Sequence, residues 1–155
     1  YKRSFDARKA EDARVMVEGL DAVDGAVRFV ETLPLDFPRA IASSSTTHWI
    51  RTHLAHLGLS DAFGDHIYSG REHVTRGKPA PDIYLHAAEA LGIDIKRAVI
   101  LEDSLVGATG AVASGAFVIG LAAGRHCNDG HAALLLDKGV HAVAHSFEDV
   151  VALLA

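Results

Sequence analysis

The sequence predicts an α/β fold, a Rossmann-like parallel sheet with helices on both faces. Three observations point to it. Strand-like and helix-like stretches alternate along most of the chain. The strand-like runs, such as Ala98–Leu101, are continuously apolar, as suits strands covered on both sides. Glycines follow the helix-like stretches at positions 58, 92 and 115, where a helix stop needs them.

Taken in order, residues 5–17 read as a charged helix of weak amphipathicity. Gly19 and Gly25 flank a turn or hinge. Residues 26–33 place Val27, Phe29, Val30 and Leu33 at helical spacing, and Pro34 and Pro38 mark the loop beyond. Residues 40–43 are a short buried-type strand. The run Ser43-Ser44-Ser45-Thr46-Thr47 offers several N-caps to a helix presenting Trp49, Ile50, Leu54 and Leu57, which Gly58 stops. Residues 65–69 suit a short strand. Pro79 and Pro81 fit the first turn of a helix running to Leu91, with Gly92 past its end. Residues 98–101 form a strand, 104–114 a helix ended by Gly115, and 117–121 a strand. Residues 129–138 read as a helix and 141–144 as a strand. Ser146 with Asp149 is a capping-box pattern before a last helix over 150–154.

Composition narrows the function. The 155 residues, 49% of them apolar, can build a packed core, in one domain or in one domain plus part of another. A net charge of −5 argues against nucleic acid or an anionic membrane as partner. No apolar run nears the roughly 18 residues a membrane helix needs. The single cysteine, Cys127, cannot close an internal disulfide, which fits a reducing cytoplasm. The chain opens at Tyr1 without an initiator Met, and its first twenty residues are charged rather than signal-like, so it reads as either a processed protein or a piece of a longer one, and the motifs below favour the piece.

In an open α/β sheet, ligands bind beyond the carboxyl ends of the strands. Just past the first strand lies Ser43-Ser44-Ser45. Past the 98–101 strand lies Glu102-Asp103-Ser104, and Gly77-Lys78-Pro79 begins a helix between them. Adjacent carboxylates without paired thiols suit a hard cation that takes oxygen ligands. Hydroxyls and free N–H groups at a helix start suit phosphate oxygens. A nearby lysine offsets the charge of a transferring phosphoryl group. Each piece alone also fits a plain structural role, namely a helix cap, a surface lysine and a solvated turn.

Together, Ile41-Ala42-Ser43-Ser44-Ser45, Gly77-Lys78-Pro79-Ala80-Pro81-Asp82-Ile83-Tyr84 and Leu101-Glu102-Asp103-Ser104 resemble motifs II, III and IV of haloacid dehalogenase phosphatases. The similarity runs from about Leu20 to Leu121 and is strongest to sugar-phosphate phosphatases and β-phosphoglucomutases. The resemblance implies catalytic roles for Ser43 and Lys78. It implies phosphate binding by Ser43, Ser44 and Lys78, and Mg²⁺ binding by Asp103 with Glu102 assisting. Gly107 and Gly115 would allow close packing behind the site. It also implies residues 1–19 as the end of a helical cap and 20–155 as a partial core domain.

Motif I of the family, Asp-x-Asp-Gly-Thr/Ser, supplies the aspartate nucleophile from the first strand, and no Asp-x-Asp occurs in this sequence. In the family that strand lies mid-sheet, between the strands ending at Ser43 and Asp103. The implied parent is a cytoplasmic, Mg²⁺-dependent phosphatase of small phosphorylated metabolites, working through a phosphoaspartate and monomeric at full length. The present chain alone is expected to fold poorly or associate, and not to turn over substrate. Rival readings are a phosphomutase and a non-catalytic binding module that keeps the fold; a dehalogenase is disfavoured by Glu102-Asp103. His53 with His56, and His126 beside Cys127, lack a closed zinc pattern and read as solvated surface. Trp49 and Leu54 read as core or cap-facing. The acidic residues Glu11, Asp12 and Glu18 read as a solvated face, and Arg71, Glu72 and His73 as candidates to face the cleft.

Overall fold

The computed structural model describes residues 26–34, 36–122 and 129–154. The expectations for the first 25 residues, for His126 and for Cys127 lie outside that set. The elements run α1 (Ala26–Thr32), β1 (Ile41–Ser43), α2 (Thr47–His56), β2 (Ile67–Ser69), α3 (Asp82–Leu91), a 3₁₀ turn (Ile95–Arg97), β3 (Val99–Glu102), α4 (Leu105–Ser114), β4 (Phe117–Leu121), α5 (Asp129–Asp137), β5 (Ala142–Ala144) and α6 (Phe147–Leu154).

Local chemistry sets the helix ends. The Thr46 hydroxyl accepts the Trp49 N–H, and Ser104 accepts the Gly107 N–H, so each start has its cap. Gly92 and Gly115 close α3 and α4 in the left-handed conformation, with φ of 70° and 92°. Pro81 sits at the cap position of α3, and Pro79 lies outside the helix, in the preceding turn. Ser146 accepts the Asp149 N–H while Asp149 accepts the His145 N–H, so α6 starts three residues earlier than the apolar run suggests. Asp94 caps the 3₁₀ turn that the sequence reading missed.

All strand pairs are parallel, and among the described residues they form two sheets rather than one. β1 pairs β2 with Ile41 opposite Ile67. β3, β4 and β5 pair in that order, with Val99 opposite Phe117 and Ile119 opposite Ala142. Successive strand residues alternate between two helical layers. Ala42, Tyr68, Ile100 and Val118 face a core shared with Ile83, Tyr84 and Ala87 of α3, Ala108 and Ala111 of α4, and Leu135 of α5. On the other face Ile41 and Ile67 meet Ile50 and Leu54 of α2 and Val27 and Val30 of α1. Leu101 and Ile119 meet Val150 and Phe147 of α6 and Phe29 of α1. Helices thus cover both faces, and the α3 layer spans both sheets.

Between β1 and β3 lies a cleft of about 670 Å³. Ala40 and Ala42 line one wall and Val99 and Leu101 the other, with Tyr84 and Ala87 of α3 on one face and Phe29 and Phe147 on the opposite face. This is where the family resemblance puts the first strand.

Candidate functional site

Three stretches far apart in sequence meet at the carboxyl ends of β1 and β3. The Lys78 ammonium donates to the Ala42 carbonyl at 3.3 Å and to Glu102 Oε2 at 3.0 Å. It therefore bridges the carboxyl-terminal parts of β1 and β3, two strands that do not pair with each other. Its side chain is 10% exposed and that of Glu102 9%, so the ion pair is largely withdrawn from water. One of the three ammonium donors stays available for a ligand.

Glu102 is the hub. Its Oε2 takes Lys78 and the Tyr84 hydroxyl, at 2.7 Å. Its Oε1 takes the Asp103 N–H, the Ser104 N–H and the Ser104 hydroxyl at 3.1–3.2 Å. Burial raises the Glu102 pKa, but the Lys78 charge and the bonds from Tyr84, Lys78 and Ser104 outweigh it, and the net shift is downward. Burial, then the Glu102 charge, pushes the Tyr84 phenol far up, so it stays a donor. The expectation that Glu102 assists in holding an ion meets a physical obstacle. Five protein donors already fill a carboxylate with roughly four lone-pair sites, and the side chain points inward.

Asp103 follows at the rim, half-buried. The ring Nε2 of His131, on α5, lies 2.6 Å from the Asp103 carbonyl. A carbonyl only accepts, so Nε2 carries the proton. Ser43 Oγ accepts the Ser45 N–H at 3.1 Å, which leaves its own proton free to donate. Among the described residues the Ser44 N–H has no partner and opens on the same rim.

Glycines admit this packing. A Cβ on Gly107 would lie 2.2–2.6 Å from the Glu102 carboxylate. Gly110 has the same role against the Ala80 and Pro79 carbonyls, at 2.7 and 3.0 Å. Gly115, expected to pack closely, has nothing within 4 Å; its positive φ is what calls for glycine.

Other candidates resolve differently. His53 is buried at 5% exposure and stacks on Trp49 at 5.5 Å, so it is not the solvated surface residue expected, whereas His56 is exposed. Glu72 holds the start of α2 through the Thr47 hydroxyl and N–H. His73 accepts the Ser69 N–H and stacks on His86. Neither reaches the Lys78–Glu102 pair. No group of three or more His, Cys, Asp or Glu among the described residues could hold a metal by itself, and no helix among them is long and apolar enough to cross a membrane.

Tyr84 and His131 are the two site residues that sequence reasoning missed. Tyr84 sat inside a quoted motif, where its spacing from Lys78 gave no sign of a shared carboxylate. Nothing in the sequence ties His131 to Asp103.

Known proteins resemble this chain in sequence and in fold. The 6-phosphogluconate phosphatase of Escherichia coli is 26% identical over 118 residues, 76% of this chain and 52% of its own. The β-phosphoglucomutase of Mycobacterium bovis is 38% identical over 67% of this chain and 40% of its own. The chain thus spans about half the length, or less, of these curated relatives. A haloacid dehalogenase-like protein of Agrobacterium tumefaciens superposes with a TM-score of 0.84 at 33% identity, covering 99% of this chain and 68% of that one. A haloacid dehalogenase family hydrolase of Deinococcus radiodurans, solved with phosphate and sodium, superposes at 0.78 and 36% identity, covering 86% of this chain and 58% of that one. The haloacid dehalogenase-like hydrolase family model matches residues 3–115, a stretch that contains every rim residue except His131. A match over that much of the sequence shows that the chain belongs to the haloacid dehalogenase-like hydrolase family.

Proposed function

We propose that this chain supplies the phosphate- and metal-binding part of a Mg²⁺-dependent phosphatase of small phosphorylated metabolites, sugar phosphates foremost. The observation that carries the reading is the Lys78 ammonium, held between Ala42 and Glu102 with one donor to spare, beside the Ser43 hydroxyl and the Ser44 N–H. A phosphoryl group at that rim meets three donors fixed before it arrives, and a preorganised array of this kind stabilises the charge on transferring oxygens. The names of the relatives, phosphatases of sugar acids and hexitols among them, support the substrate class.

The Asp103 carboxylate at the rim fits Mg²⁺, which takes one or two protein carboxylates and keeps several waters. Asp103 would hold the ion, and the ion would neutralise phosphate charge. Glu102 keeps Lys78 aimed rather than binding metal. Its buried carboxylate holds the lysine, and the lysine holds the phosphate. The covalent step would use an aspartate in an Asp-x-Asp motif, which this sequence does not contain. The whole enzyme would be a cytoplasmic monomer acting on its phosphorylated substrate alone, with no nucleic acid or membrane partner.

To test this, the complete enzyme is assayed for Mg²⁺-dependent phosphate release from a sugar-phosphate panel, beside Asp103→Ala and Lys78→Ala. Both variants should lose activity by at least about 100-fold. Full activity in Asp103→Ala would remove the ion assignment, and full activity in Lys78→Ala the phosphate assignment. The β-phosphoglucomutase relative favours one alternative, a phosphomutase. The same assay separates the two, since a mutase yields an isomeric sugar phosphate and little free phosphate. If the complete gene lacks an Asp-x-Asp, the binding-module reading takes over.

A further inference from the structure

We propose that His131 is a positioning residue for metal binding: from α5 it clamps the Asp103 carbonyl and so fixes the direction in which the Asp103 carboxylate leaves the rim. The proposal rests on the reading of Asp103 as the Mg²⁺ ligand. It extends that reading to a residue outside 3–115, the stretch that the family model matches.

Asp103 is the first of two residues between the end of β3 at Glu102 and the start of α4 at Leu105. Its side chain is aimed only as well as the backbone beneath it is held. The peptide before Asp103 is held through its N–H, which donates to Glu102 Oε1 at 3.2 Å. The peptide after it is held on both sides. The Ser104 N–H donates to the same oxygen at 3.2 Å, and the Asp103 carbonyl accepts from His131 Nε2 at 2.6 Å. Glu102 Oε1 is shared among three donors, whereas the His131 bond is shorter and comes from a different element. Peptide groups are planar, so holding both of them fixes φ and ψ at Asp103. Only two side-chain torsions are then left for the ion to order.

The seating of α5 delivers the ring. Leu135 is fully buried one turn after His131, so the two share a face of the helix. Gly120 lets that face come close, because a Cβ there would lie 3.1 Å from Leu135 Cδ1. Gly120 is also the register partner of Glu102, in the last row of the β3–β4 ladder. One helical turn back from Leu135, about 6 Å, carries His131 beyond that row to Asp103. Leu135 anchors α5 in the core by itself, so the polar bond serves the rim rather than the helix. Groups that orient a metal ligand from behind set its affinity, typically by about tenfold or more.

The complete enzyme is titrated by calorimetry with Mg²⁺ alone and with inorganic phosphate alone, beside His131→Leu, His131→Met, His131→Gln and Asp103→Ala. The first two variants lack the donor and differ in shape, while the third keeps an N–H at similar reach. Mg²⁺ should bind about tenfold more weakly in both apolar variants and within about twofold of the parent in His131→Gln. Phosphate affinity should stay within about twofold in all three, and kcat at saturating Mg²⁺ within about threefold, because added ion overcomes a defect in positioning. Parent-like Mg²⁺ affinity in either apolar variant overturns the proposal, as does an equal loss in His131→Gln. A parallel fall in phosphate affinity also overturns it, since that marks a general collapse of the rim. Mg²⁺ binding unchanged by Asp103→Ala sinks the ion reading and the proposal with it. Binding lost in Asp103→Ala but kept in the apolar His131 variants sinks the proposal alone.

Discussion

The same two strands, β1 and β3, are joined at their carboxyl ends and separate along their length. At the ends, Lys78 and Glu102 bind each other, the Ala42 carbonyl, Tyr84 and Ser104 in a closed polar network. Along the body, Ala42, Val99 and Leu101 turn peptide groups toward a cleft about 670 Å³ in volume. The difference shows that the rim can be assembled by side chains alone, whereas a sheet cannot be closed without another backbone.

The largest effect follows from the open side. Each buried peptide group left unpaired costs about 1–3 kcal/mol, and a domain has about 5–15 kcal/mol of stability to lose. The chain alone should give a broad, low-temperature melt by circular dichroism, or self-associate. A sharp two-state monomer transition at ordinary temperature would show the two sheets to be self-sufficient.

The next effect probes the closed side. Lys78→Met removes the partner of a buried carboxylate and should cost about 3–5 kcal/mol, read from chemical denaturation of the complete protein. A loss below 1 kcal/mol would mean that the pair is solvated. Gly107→Ala drives a methyl into the Glu102 carboxylate and should cost about 1–3 kcal/mol, while Gly115→Ala should lose only what its positive φ imposes. Equal losses at the two positions would refute the packing account.

Tyr84→Phe keeps the ring against Lys78 but removes one donor to Glu102, for about 1–2 kcal/mol. The smallest effect is on pH dependence. Glu102 is lowered from its ordinary 4.5, so its ionised form adds stability that is fully present above about pH 4.5. That contribution is lost as acid takes the pH down through the lower folded-state pKa. Glu102→Gln should flatten this acid limb, and an unchanged limb would place the titrating group elsewhere.

Periodicity, caps and glycine stops determined the α/β class and most elements from the sequence, because those signals are local. That the Ser43, Lys78 and Asp103 stretches share one edge of the fold was legible because their positions at strand ends place them there whatever the packing detail. Only the tertiary structure decided that Glu102 turns inward to Lys78 and Tyr84, that Gly110 rather than Gly115 makes the close approach, that His53 is buried against Trp49, and that His131 reaches Asp103. Those outcomes depend on which residues distant in sequence share a few ångströms of space. A carboxylate's role follows from the donors that arrive around it, and local sequence does not encode their arrival.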